Sequence, residues 1–108
     1  MNKPIFLEVI GDYPINRILD FLITFKNYDY SMTDIAKSSN IGWTTLNSFW
    51  KDLEKYKIII FTRLVGKAKM YKLNEKNPVV QQLIKMHWSI IKTYTNEKLI
   101  SKRLEIPA

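Results

Sequence analysis

No cysteine occurs in the sequence, so neither a disulfide framework nor a thiolate metal site can form. The single histidine, His87, cannot build a multi-histidine zinc site by itself, and no metal is expected. Only three glycines are present, and none sits in a phosphate-cradling loop. No histidine–carboxylate pair stands beside a nucleophile in a recognisable motif, so neither catalysis nor a cofactor is expected. The longest apolar run is Ile58 to Phe61, far below the roughly 20 residues that span a bilayer. With no basic-then-apolar leader pattern, the expected location is the cytoplasm, in association with the nucleoid.

What remains is a 108-residue chain with 46% hydrophobic and 13% aromatic residues, a composition that supports one domain, 1–108, around one core. Its net charge is +7 and unevenly spread. Residues 1–30 carry three basic and four acidic groups, whereas residues 31–72 carry eight and three, and residues 73–108 six and three. A basic patch concentrates polyanions and gains free energy when their counterions are released. The surplus therefore marks the middle of the chain as the segment that meets a polyanion.

Hydrophobic spacing orders that chain. Residues 3–10 predict a small helix or an extended arm. In "GDYPINRILDFLITF" Pro14 suits a first helical turn, with Asp12 as its cap, and Ile15, Ile18, Leu19, Leu22, Ile23 and Phe25 recur at threes and fours. Tyr28 to Met32 predicts a short edge strand or turn, and Thr33 is expected to cap the next helix. "SSNIG" ends that helix, Asn40 being able to take a left-handed conformation. A third helix follows over 43–56. "IIIFT" and "KMYKL" flank a single glycine and predict an antiparallel hairpin over 58–73. Pro78 opens a long helix over 78–98. The expected class is mainly α with a small β-hairpin (α+β).

Residues 32–51 fit the steric pattern of a helix-turn-helix. Its fifth position is small (Ala36), its ninth is Asn40 where glycine is usual, and its tenth is Ile41, which plugs the turn. Leu46 and Phe49 occupy the inward positions of the second helix. On these residues, with "GDYPINRILDFL" and "DLEKYKIIIFTRLVGKAKMYKLN", the chain resembles small winged helix-turn-helix regulators of the MarR and ArsR type, and most closely the short archaeal ones. That resemblance implies a recognition helix at 43–56, a wing at 58–73 and a dimeric, sequence-selective DNA-binding protein with a long C-terminal dimerisation helix. The first motif helix reads "DIAKSSN", so the metal-sensing cysteines of many ArsR proteins are not carried over.

At about 100° per residue, Leu46, Phe49, Trp50 and Leu53 fall on one side of the recognition helix. Thr44, Asn47, Ser48, Lys51 and Lys55 fall on the other, flanked by Thr45. Asn47 is suited to a bidentate contact with adenine, and the threonine methyls to thymine. Lys51 and Lys55, with Lys37 and the helix start near Thr33, are expected at phosphates. Trp43 is placed either over the turn or against sugar and phosphate. Arg63, Lys67 and Lys69 surround Gly66 and are expected at the minor groove or adjacent backbone.

The apolar residues of the last helix cover more than one stripe. Val80, Leu83, Ile84, His87, Trp88, Ile90, Ile91 and Tyr94 are expected to form a two-fold interface, helped by residues 3–10. His87 and Tyr94 are expected near the axis. The expected partner is double-stranded DNA carrying an inverted repeat, bound by a homodimer. Two alternatives use the same fold: a partition or chromosome-coating protein that spreads on DNA, and a protein-interaction module that binds no DNA.

Overall fold

A computed structural model describes residues 3–105, with side chains as far as residue 95. Seven elements follow in order: α1 (Ile5–Ile10), α2 (Pro14–Thr24), α3 (Met32–Ser38), α4 (Trp43–Lys55), β1 (Ile59–Val65), β2 (Ala68–Leu73) and α5 (Pro78–Glu105). The mainly helical class with one small hairpin is as expected from the sequence.

Pro14 begins α2 as anticipated, but Asp12 does not cap it; Tyr13 holds the N-cap position without a side-chain bond. The Asp12 carboxylate instead accepts from Arg17 Nε at 2.6 Å and Nη2 at 3.1 Å. Thr33 is likewise not the cap of α3. Ser31 is, its Oγ accepting from the Asp34 N–H at 3.1 Å, which leaves Thr33 exposed inside the first turn. The cap falls to Ser31 because it lies three residues before the amide it serves, outside the helix.

Both motif helices end in the same way. Asn40 has φ 54° and Lys57 φ 56°, each the left-handed residue after a helix. The Ile41 N–H reaches Ala36 O at 3.0 Å, and the Ile58 N–H reaches Leu53 O at 2.9 Å. These six-residue closures with a left-handed residue are Schellman motifs, which satisfy carbonyls that a helix end would leave bare.

Phe61 pairs with Tyr71 and Arg63 with Met70, so Thr62 is the extra residue of a bulge in β1. Val65 faces Ala68 across a two-residue turn in which Gly66 alone has positive φ, 61°. Positive φ at the first central residue only is the type II′ arrangement, whose twist matches that of the strands. The edge strand expected over Tyr28 to Met32 shrinks to one bridge, in which the Tyr30 and Tyr71 amides and carbonyls exchange bonds of 2.8 Å.

Ile18, Leu22, Ile23, Ile35, Leu46, Trp50, Leu53, Ile59, Tyr71, Leu73 and Val80 form the main core. Phe6, Leu7 and Ile90 form a second cluster where α1 crosses α5. Of residues 3–10, Ile5–Ile10 form a helix, and it packs on its own chain. The α5 helix extends past the expected end at residue 98, because no glycine or proline interrupts the sequence before Pro107. Its 28 residues make a rod of about 42 Å, consistent with overall dimensions of 60 × 28 × 22 Å. No helix among the described residues is long and apolar enough to cross a membrane.

One side chain joins the end of α4 to the start of α5. Asn77 Oδ1 accepts from the Val79 N–H at 2.9 Å, while its Nδ2 donates to Tyr56 O at 3.1 Å and Lys57 O at 3.0 Å. Asn74 Nδ2 adds a bond to Lys57 O at 3.1 Å. Asn77→Ala removes an N-cap and two bonds to helix-end carbonyls. It is expected to cost about 1–2 kcal/mol, read as a lower urea midpoint with an unchanged m-value.

Candidate nucleic-acid interface

The α4 helix divides as its spacing predicts. Leu46, Trp50 and Leu53 are buried, and Trp50 meets Tyr71 of β2 edge-on with ring centroids 4.9 Å apart. Phe49 is only half-buried, packed against the margin of the core. Thr44, Asn47, Ser48, Lys51 and Lys55 are exposed, and Thr45 is half-buried. The Ser48 hydroxyl donates to Thr45 O at 2.6 Å, which leaves Ser48 to act outward as an acceptor. Lys55 Nζ lies 5.3 Å from the Tyr56 ring centroid and shares its charge with that face.

Trp43 stands at the head of α4 with about half its surface (51%) exposed, so it does not pack fully over the turn. Gly42 precedes it as N-cap, with open space where a Cβ would be. The turn before it is held from α2, since Arg17 Nη1 donates to Asn40 O at 2.9 Å. Arg17 therefore spans Asp12 and the motif turn. Nothing in its position in the sequence marked it for this.

Lys67 lies in the hairpin turn and Lys69 on β2, both exposed. Neither of them, nor Lys37 or Lys51, enters an ion pair with a described residue. Arg63 is placed differently. It lies on β1 before the turn, and its guanidinium donates to both oxygens of Asp29, at 2.9 and 3.2 Å. Thr62 Oγ1, the bulged residue, donates to the same carboxylate at 2.6 Å. Arg63 and Thr62 together hold the Asp29 carboxyl down at about 2. Among the expected cations of the hairpin, Lys67 and Lys69 are thus the ones without an internal partner.

Because the Asp29 value in the folded protein lies below its ordinary value of about 3.9, the contact stabilises fully above that value. It is lost as pH falls through about 2. A carboxyl NMR titration should place the Asp29 midpoint there, and Arg63→Ala should return it towards the ordinary value.

The residues expected between copies are distributed unevenly. Val80 and His87 are fully buried and Ile90 is 9% exposed, all within the chain's own interior. Their expected role is corrected, because α1 and α2 already cover them. Leu83 and Ile84 are half-buried against the main core, and Ile91 lines an open cleft of about 590 Å³ beside Asp12, Arg17 and Ser39. Trp88 and Tyr94 remain exposed, with Met86 beside them in sequence. His87 is an internal strut: its Nε2 is 2.8 Å from Asp20 Oδ1, and its ring lies 4.7 Å from Phe6 and 5.0 Å from Trp88. Asp20 lies 67 residues away, a pairing that no local signal announces.

No family model matches the sequence, and no curated protein matches it either. Solved structures do. A variant of ZitR from Lactococcus lactis in apo form superimposes with TM-score 0.60 and 19% identity, over 84% of this chain and 78% of that one. MepR, a transcription regulator of the Staphylococcus aureus multidrug efflux pump MepA, gives 0.59 and 21%, over 79% of this chain and 60% of MepR. Sso10a-2, a DNA-binding protein from Sulfolobus solfataricus, gives 0.51 and 14%, over 85% of this chain and 96% of that one. The fold is a winged helix. In its terms α3 and α4 are the helix-turn-helix, the hairpin is the wing, and α5 is the long terminal helix. Wild-type ZitR has also been solved in complex with DNA.

Proposed function

We propose that the chain binds double-stranded DNA as a homodimer and regulates transcription, with α4 in the major groove and the wing beside it. One observation carries this reading. The outward face of α4 is uncommitted and carries short polar groups with Lys51, and it adjoins a wing whose Lys67 and Lys69 have no partner among the described residues. Short side chains let a helix approach base edges closely, and unpaired lysines are ready for phosphates. The net charge of +7 supports the same partner, as does the structural likeness to MepR and to ZitR, the latter known with DNA.

Pairing of copies would use the apolar surface of α5 that its own core leaves open: Met86, Trp88 and Tyr94. Two recognition helices would then meet half-sites of an inverted repeat about one DNA turn apart. A second reading on the same fold is a protein that spreads along DNA; Sso10a-2, matched over 96% of its length, is a DNA-binding protein. Selection of bound duplexes from a random pool, followed by footprinting, separates the two. A discrete footprint with dyad symmetry supports the regulator, and one that lengthens with protein concentration supports spreading. Absence of salt-dependent duplex binding would remove both, and a strict monomer with and without DNA would remove the dimer.

A further inference from the structure

The wing is not built like a simple basic arm. Its first strand is apolar and exposed along most of its length: Ile60, Phe61, Leu64 and Val65 are 38, 51, 61 and 48% exposed. No burial inside the protein accounts for Leu64 and Val65, which stand next to the turn. The register gives each a neighbour, Lys69 across from Leu64 and Ala68 across from Val65. Lys69 and Tyr71 are two residues apart on β2 and so share a face. Tyr71 is the ring that lies against Trp50. Leu64 therefore continues, beyond the body of the protein, the wing face that rests on the recognition helix at its root.

Resting on the DNA-binding reading above, we propose that Leu64 is an apolar wedge for the minor groove. Lys69 beside it and Lys67 at the turn would be seated on the flanking phosphates. Charge complementarity selects the occupant. A second protein surface would gain from the leucine and valine but has no general use for lysines without partners, whereas a duplex groove presents both apolar sugar walls and anionic rims. The turn is slender enough to enter, since Gly66 and Ala68 add almost no bulk and no heavy atom stands within 4 Å of the place of a Gly66 Cβ. Leucine is among the side chains that part a base step, and such insertion kinks a duplex by roughly 20–90°. The protein would thus bend the DNA that it reads.

The test compares wild type, Leu64→Ser, Leu64→Met and the pair Lys67→Ala/Lys69→Ala on a selected duplex labelled at both ends for energy transfer. The salt dependence of affinity is measured in parallel. Leu64 is exposed, so its replacement uncovers no core, and thermal midpoints should stay together. The expected result is a bend with wild type and Leu64→Met that is absent with Leu64→Ser, while the serine variant keeps the wild-type salt slope. The lysine pair should lower that slope by about 2. Salt-dependent binding by wild type without a bend, or an equal bend with Leu64→Ser, overturns the wedge and leaves the DNA reading standing. A change of oligomeric state with Leu64→Ser, its bend unaltered, would assign the strand to contact between copies and also overturns it. If wild type shows no salt-dependent binding, the DNA reading falls, and the wedge with it.

Discussion

Trp50→Ala is expected to remove about 3–5 kcal/mol of stability, a large fraction of the roughly 5–15 kcal/mol that a domain holds. The indole is 5% exposed and stands edge-on to Tyr71, so it joins α4 to the wing. Its deletion opens a cavity between two elements that have few other ties. Its ring N–H is buried without a protein acceptor, so the loss is one of packing and not of hydrogen bonding. Trp50→Phe, which keeps an aromatic plug and removes that N–H, should therefore cost much less. Trp43→Ala provides the contrast. With half its surface in solvent, Trp43 should shift stability by no more than about 0.5 kcal/mol while weakening DNA binding. Urea denaturation of the three variants checks the order. Equal losses at Trp43 and Trp50 would refute the division of α4 into an inward and an outward face.

Replacing Lys51, Lys67 and Lys69 together by alanine should act on the other side of that division. If each lysine meets one phosphate, the slope of log affinity against log salt should become shallower by about 2.7. The gap between wild type and variant then closes by about 40-fold as salt rises from 50 to 200 mM. Stability should hardly change, because all three side chains are exposed and outside ion pairs among the described residues. Fluorescence anisotropy at several salt concentrations gives the slope directly. An unchanged slope would show that these lysines do not face phosphate.

Both predictions rest on a helix whose two sides could be read from spacing alone, because burial follows the helical repeat wherever one face meets a core. The turn was legible for a similar reason: Asn40 tolerates the left-handed backbone that the chain reversal requires. The hairpin was legible from its β-branched run and its glycine. What stayed hidden were contacts between residues far apart in sequence. Asp29 is 34 residues from Arg63, and their pairing gives the exposed arginine a partner on the chain itself. His87 and Asp20 sit in unremarkable helical positions, and only the crossing of α5 over α1 and α2 makes His87 internal. The apolar pattern of α5 is extensive in the sequence itself. Which part belongs to its own domain depends on α1, a six-residue helix whose length gave little hint of where it would lie.

Asn77 gives this architecture a mechanical character. It ties the tail of α4 to the head of the terminal rod, so the orientation of one helix is coupled to that of the other. In the proposed dimer joined along α5, the distance between the two α4 helices would be set by the angle at which the rods cross. In that proposed dimer, half-site spacing would be set by the contact between the α5 helices, and a small change there would detune the pair without altering a proposed DNA contact.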